Sequence, residues 1–137
     1  MRKFALATFA LAAATAALLT GPALQAKPRL TPEQRLDKLL EGREAGRPQS
    51  CISQFDTRDM EVLDKTAIVY RSGGTVWVNR PANAEDLDSD DILVTHPTGS
   101  QFCRLDIVNT VDRTGHFTTG FISLGDFVPY KRVAARD

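Results

Sequence analysis

Of the 137 residues only two are cysteine, two are histidine and one is tryptophan. His96 and His116 stand 20 positions apart, in no ligand spacing with each other or with Cys51 and Cys103. Zinc needs three or four convergent ligands, so no metal site is expected. No nucleophile-elbow motif frames a serine. Gly73-Gly74 precede a strand pattern rather than a helix, so the usual phosphate cradle at a helix N-terminus is missing. Neither sign of charge dominates, with 17 Lys+Arg against 17 Asp+Glu. That balance gives no electrostatic reason to expect nucleic acid as a partner. No catalytic residue and no cofactor follow from these patterns.

What is present begins at the N-terminus. Arg2 and Lys3 are followed by an uncharged run from Phe4 to Leu19, broken by Gly21-Pro22 and leading through Ala26 to Lys27. A basic start, a short apolar middle and a small residue at the break are the parts of a secretory signal peptide over residues 1–26. The run is Ala-rich and shorter than the roughly 20 strongly apolar residues a spanning helix wants. Leu24 is not the ideal small residue, so cleavage after Ala23 is the alternative to cleavage after Ala26. No cysteine lies near the break, which argues against a lipoprotein. The reading is a periplasmic or secreted chain with no membrane span after cleavage. The removed segment holds two of the basic residues and no acidic one, leaving 111 residues of net charge −2. That length suits one domain with a single core.

Cys51 and Cys103 both survive cleavage. An even count in an exported chain reads as a disulfide, because the receiving compartment is oxidising. The alternative is a thiol nucleophile beside His96 or His116, but no local motif frames either cysteine and a lone thiolate would be oxidised there.

Residues 27–50 read as a short helix and linker. Thr31 is placed as N-cap, Pro32 suits the first turn and Gln34 completes a capping box. Leu36, Leu39 and Leu40 then share a face, and Gly42 is the stop. Arg43 to Ser50, with a glycine and a proline, reads as linker. Residues 51–132 read as a β domain, and residues 133–137 as a tail.

Within the β domain, Asp59 to Leu63 is a weak strand. Ala67 to Ser72 and Thr75 to Arg80 are stronger and form a hairpin about Gly73-Gly74, with Tyr70 opposite Trp77 and Val69 opposite Val78. Pro81 to Asp91 is an acidic loop and Ile92 to His96 the next strand. Phe102 to Asp112 is predicted as one strand, with Cys103, Leu105, Ile107 and Val111 on one side. Phe121–Leu124 and Phe127–Tyr130 are predicted as the last strand, bent at Gly125. The sum is a mainly β fold: a small antiparallel barrel or two-sheet sandwich of five or six strands, with one short N-terminal helix.

Asp86, Asp88 and Asp90 match the first three ligand positions of an EF-hand loop, but Asp91 stands where glycine is needed and Pro97 where a bidentate glutamate is required. The calcium reading fails, and the segment is expected to be a solvated loop. Of the aromatic residues, Tyr70, Trp77, Phe102, Phe121, Phe127 and Tyr130 are expected mostly in the core. An exposed Trp77 between Arg71 and Arg80, with Tyr70 beside it, is the candidate binding patch.

Several phrases together resemble a family of short exported bacterial proteins whose domain has no assigned function. They are Ser50-Cys51-Ile52, Ile68-Val69-Tyr70-Arg71 with Gly73-Gly74 and Trp77, Cys103 with Asp106-Ile107, and Leu124-Gly125-Asp126-Phe127-Val128-Pro129-Tyr130. The resemblance spans roughly residues 34–132. Members often carry two further cysteines, near the positions of Ala84 and Ile122. Their joint absence here implies that those two bond each other, which leaves Cys51 paired with Cys103. The resemblance implies no activity and no ligand. The functional expectation is therefore a non-enzymatic binding or inhibitor-like module acting on a periplasmic protein or envelope component. The alternatives are a small hydrolase using carboxylates such as Asp106 and Asp126, or a structural envelope protein.

Overall fold

The computed structural model describes residues 28–97 and 99–134, so the expected leader, residues 1–26, lies outside the described residues. Helix α1 spans Pro32–Leu40, with the capping box of Thr31 and Gln34 formed in both directions. Gly42, at φ 71°, ends it. Nine residues are too few for a stable helix in water. Leu36 supplies the tertiary anchor, packing against Leu63, Ala67, Val69, Val76 and Val78.

Ten strands follow: β1 Arg43–Ala45, β2 Cys51–Ser53, β3 Asp59–Leu63, β4 Ala67–Ser72, β5 Thr75–Asn79, β6 Asp91–Thr95, β7 Gln101–Cys103, β8 Ile107–Asp112, β9 Thr118–Ser123 and β10 Phe127–Arg132. They form a five-stranded sheet in the order β1-β10-β5-β4-β3, a three-stranded sheet β6-β8-β9 and a ribbon β2-β7. The fold is mainly β and sandwich-like, with no closed barrel among the described residues. Helix α1 covers one face of the large sheet. On its other face, Ile68, Tyr70 and Phe127 pack against Ile52, Val108 and Ile122 of the smaller sheets.

The hairpin has the expected register, Tyr70 opposite Trp77 and Val69 opposite Val78, with the positive φ taken by Gly73. Three expectations change. Arg43 to Ala45 is a strand rather than linker, because β10 presents a free edge to which it pairs. The Phe102–Asp112 segment breaks at Leu105, which has φ 70°. There the Asp106 carboxylate accepts the Cys103 N–H at 2.7 Å, closing a turn between β7 and β8. Its inward residues are Phe102, Val108 and Thr110, while Leu105 and Ile107 face solvent. Thr110 can be buried because its hydroxyl is hydrogen-bonded to Thr119 Oγ1 at 2.8 Å, whose own proton goes to the Asp91 carboxylate. Finally, Phe121–Leu124 and Phe127–Tyr130 belong to two strands in different sheets. These three changes account for most of the rise from six strands to ten.

The bridge joins Cys51 and Cys103, which lie directly opposite each other on β2 and β7 with Cα atoms 4.0 Å apart. It links the segment after the helix to the second layer of the sandwich.

Candidate functional site

The four residues of the expected Trp77 patch do not share one surface. Tyr70 and Trp77 point into the sandwich: Tyr70 is buried, and Trp77 packs partly buried against the same cluster. Arg71 lies opposite Val76 in the register, which places it on the helix side of the sheet. It bonds Glu61 and sits 3.3 Å from Asp59. The Glu61 carboxylate beside Arg71 holds its guanidinium pKa above the ordinary value. Arg80 is engaged by Glu33 of α1 through two contacts at 3.0 and 3.2 Å. That hydrogen bond raises the Arg80 pKa and lowers that of Glu33. Both arginines therefore fasten α1 and β3 to the sheet.

The aromatic residues divide. Tyr70 and Phe127 are core, with ring centroids 6.0 Å apart. Phe102 and Tyr130 are partly buried at the margins of the two core clusters. Phe121 stands out in solvent on the opposite side of β9 from buried Ile122.

The carboxylates considered for hydrolysis have local partners. Asp106 holds the β7–β8 turn, and Asp126 lies 3.7 Å from Arg104. Asp106 and His96 line a shared depression of about 40 Å³, room for roughly one water. His116 is exposed, with φ 55°. Among the described residues no three His, Cys, Asp or Glu side chains gather to hold a metal ion. No helix among them is long and apolar enough to cross a membrane.

The main concavity lies elsewhere, at the seam where the large sheet ends in β3 and the three-stranded sheet ends in β6. A cleft of about 580 Å³ runs there, with Met60, Glu61, Val62 and Leu63 on one wall and Asp91, Ile92 and Leu93 on the other. Arg35 of α1 stands at the β3 side and Arg113 beside β6. The strand edges explain the opening. Backbone donors and acceptors on the outer side of an edge strand have no strand to pair with.

Sharing Met60 and Leu93 with the cleft is a smaller pocket of about 150 Å³, lined also by Tyr70, Phe102 and Val108. Its polar groups are the hydroxyls of Thr57, Thr95 and Tyr70. Tyr70 is only 5% exposed; burial pushes its phenol pKa well above the ordinary value. Its hydroxyl takes part in no hydrogen bond among the described residues, whereas the Thr57 hydroxyl donates to the Gln54 carbonyl at 2.8 Å.

At the other end the cleft meets the acidic segment. Glu85, Asp86, Asp88, Asp90 and Asp91 form no ion pair among the described residues. Their partners are an amide, a hydroxyl or a backbone N–H: Asn83 for Asp86, Thr119 for Asp91 and the Asp90 N–H for Asp88. Arg113 bonds the Asp90 backbone carbonyl at 3.1 Å rather than a carboxylate.

Comparison with protein-family models, curated proteins and solved structures finds no match. Met60 and Leu93 were not among the candidate residues of the sequence. A signal was present in Asp59-Met60-Glu61, where charge alternates with the one methionine after the leader, as on an exposed edge strand.

Proposed function

We propose that this chain is an exported, non-enzymatic binding module that engages a protein partner through the seam between β3 and β6. The observation that carries the reading is the pair of unjoined sheet edges around a cleft of mixed apolar and charged lining. Protein surfaces that recognise extended segments commonly use such edges, because the unpaired backbone groups supply affinity without a preformed pocket for every side chain. The carboxylates of Asp106 and Asp126 serve the fold locally, which favours binding over acid–base chemistry. Export is supported by the basic-apolar-small pattern of residues 1–26 and by the Cys51–Cys103 bridge. An inhibitor that occupies the active site of an envelope enzyme is one concrete form of such a module.

The test is site-specific photo-crosslinking in cells producing the full chain. A photoreactive residue replaces Met60 in the seam or, as control, Val133 at the far edge of the large sheet. A discrete protein adduct at position 60 and not at 133 is the expected result. Equal labelling at both positions, or none at 60, removes the proposal.

A further inference from the structure

Resting on the binding-module reading, the geometry points to a specific occupant: an extended peptide strand with an apolar side chain and a flanking basic residue. We infer that it lies along the β3 edge, its apolar side chain in the Tyr70 pocket and its basic residue toward Asp64 and Asp91.

Three observations bear on this. The first is the edge itself: β3 pairs with β4 on one side only, and its other side opens on the cleft. A strand laid there gains main-chain hydrogen bonds along five residues of β3. Its side chains alternate between the two faces of the sheet, so one side chain in two reaches the interior side.

The second is the pocket on that interior side. Met60 lies opposite Tyr70 in the β3–β4 register, so the two share the face that looks into the sandwich. The pocket beside them is apolar except for three hydroxyls, and its volume of about 150 Å³ suits one aliphatic side chain rather than a cofactor. Tyr70 is more than nine-tenths buried and without a hydrogen-bond partner among the described residues. Its hydroxyl oxygen is not sealed from solvent, so it is free to donate to an incoming group. A peptide carbonyl entering the seam would accept that hydrogen bond.

The third is charge. Five carboxylates lie between Glu85 and Asp91 with no ion-pair partner among the described residues. Of these Asp91 lines the cleft, and Asp64 of the β3–β4 turn lines it as well; of the two arginines there, Arg35 is paired with Glu61 and Arg113 bonds the Asp90 carbonyl. A basic peptide meets the complementary sign.

The experiment uses the disulfide-bonded mature chain and a labelled heptapeptide alternating lysine and leucine, followed by fluorescence anisotropy and by hydrogen exchange of the protein's amides. Three comparisons are expected to weaken binding tenfold or more: N-methylation of alternate peptide amides, glutamate in place of the lysines, and the protein variant Leu93→Arg. Tyr70→Phe is expected to weaken it several-fold. Slowed exchange at Met60 to Leu63 in the wild-type chain locates the strand even if Leu93→Arg fails to fold. Binding that ignores N-methylation, or that leaves the β3 amides unprotected, overturns the inference. So does the absence of binding. If no peptide binds while the photoreactive residue at position 60 still captures a protein, the peptide chemistry falls and the binding module stands. If neither occurs, both fall.

Discussion

Asn79 and Gly125 hold each other by two hydrogen bonds running in opposite directions. Asn79 Nδ2 donates to the Gly125 carbonyl at 2.7 Å, and Gly125 N–H donates to Asn79 Oδ1 at 3.0 Å. Asn79 is completely buried, so its amide acts as a substitute peptide group at the point where the chain leaves β9 for β10. This single side chain ties the crossover between the two sheets to the end of β5.

Replacing Asn79 by alanine leaves both backbone polar groups of Gly125, which is partly buried, without their partner. Each unsatisfied group costs about 1–3 kcal/mol, so Asn79→Ala is expected to lower stability by about 2–5 kcal/mol. The midpoint of urea unfolding measures it. A change below about 1 kcal/mol would mean that water replaces the amide.

Gly125 has a second reason to be glycine. A Cβ built there would stand 2.2 Å from the Arg80 carbonyl oxygen, a backbone atom that cannot swing aside. Gly125→Ala is expected to cost about 1–3 kcal/mol or more through forced backbone shifts. Gly74→Ala is the control, since nothing lies within 4 Å of its would-be Cβ. Equal unfolding midpoints for the two variants would contradict the close approach.

How much of this was legible follows the range of the interactions. The capping box at Thr31 and Gln34, the leucine face of α1 and the Gly73 hairpin with Tyr70 opposite Trp77 are set by residues within a few positions of each other, and all are readable. The inward face of β8 is not. Ile107 and Val111 alternate as convincingly as Val108 and Thr110, and only the Thr119 hydroxyl on β9 makes buried Thr110 acceptable. The seam is the extreme case. Met60 and Leu93 each look unremarkable, and their walls meet because each ends a different sheet, a property of topology that no local pattern carries. The Trp77 patch misled for a similar reason: alternation puts Arg71 and Tyr70 on opposite faces, and the sequence does not show that both faces are covered.

The Cys51–Cys103 bridge spans 52 positions. On the loop-entropy model, closing a loop of this size restricts the unfolded chain by an amount equivalent to about 4 kcal/mol. Because the two cysteines face each other on β2 and β7, the strands can pair without the bond. The double variant Cys51→Ala/Cys103→Ala is therefore expected to keep the native far-ultraviolet circular dichroism while losing about 4 kcal/mol in urea. Full unfolding of that variant in buffer would show that the β2–β7 ribbon depends on the covalent link.

Tyr70 couples the core to pH. Burial raises its phenol pKa above the ordinary value of 10.0, because the ionised form loses its hydration inside the sandwich. The unfolded chain can release this proton near pH 10, whereas the folded chain holds it. Folding stability from this group is thus complete below about pH 10 and declines as pH rises above that point toward the folded value, since alkali draws the unfolded state away by deprotonation. Tyr70→Phe removes the ionisable group and keeps the ring against Phe127. The wild-type chain is expected to lose urea stability between pH 9 and 11 more steeply than the variant, by up to about 1.4 kcal/mol for each pH unit above 10. Parallel curves for the two proteins across that range would show that the phenol meets water in the folded state. The Tyr70 pocket would then be wetter than a seat for an apolar side chain requires.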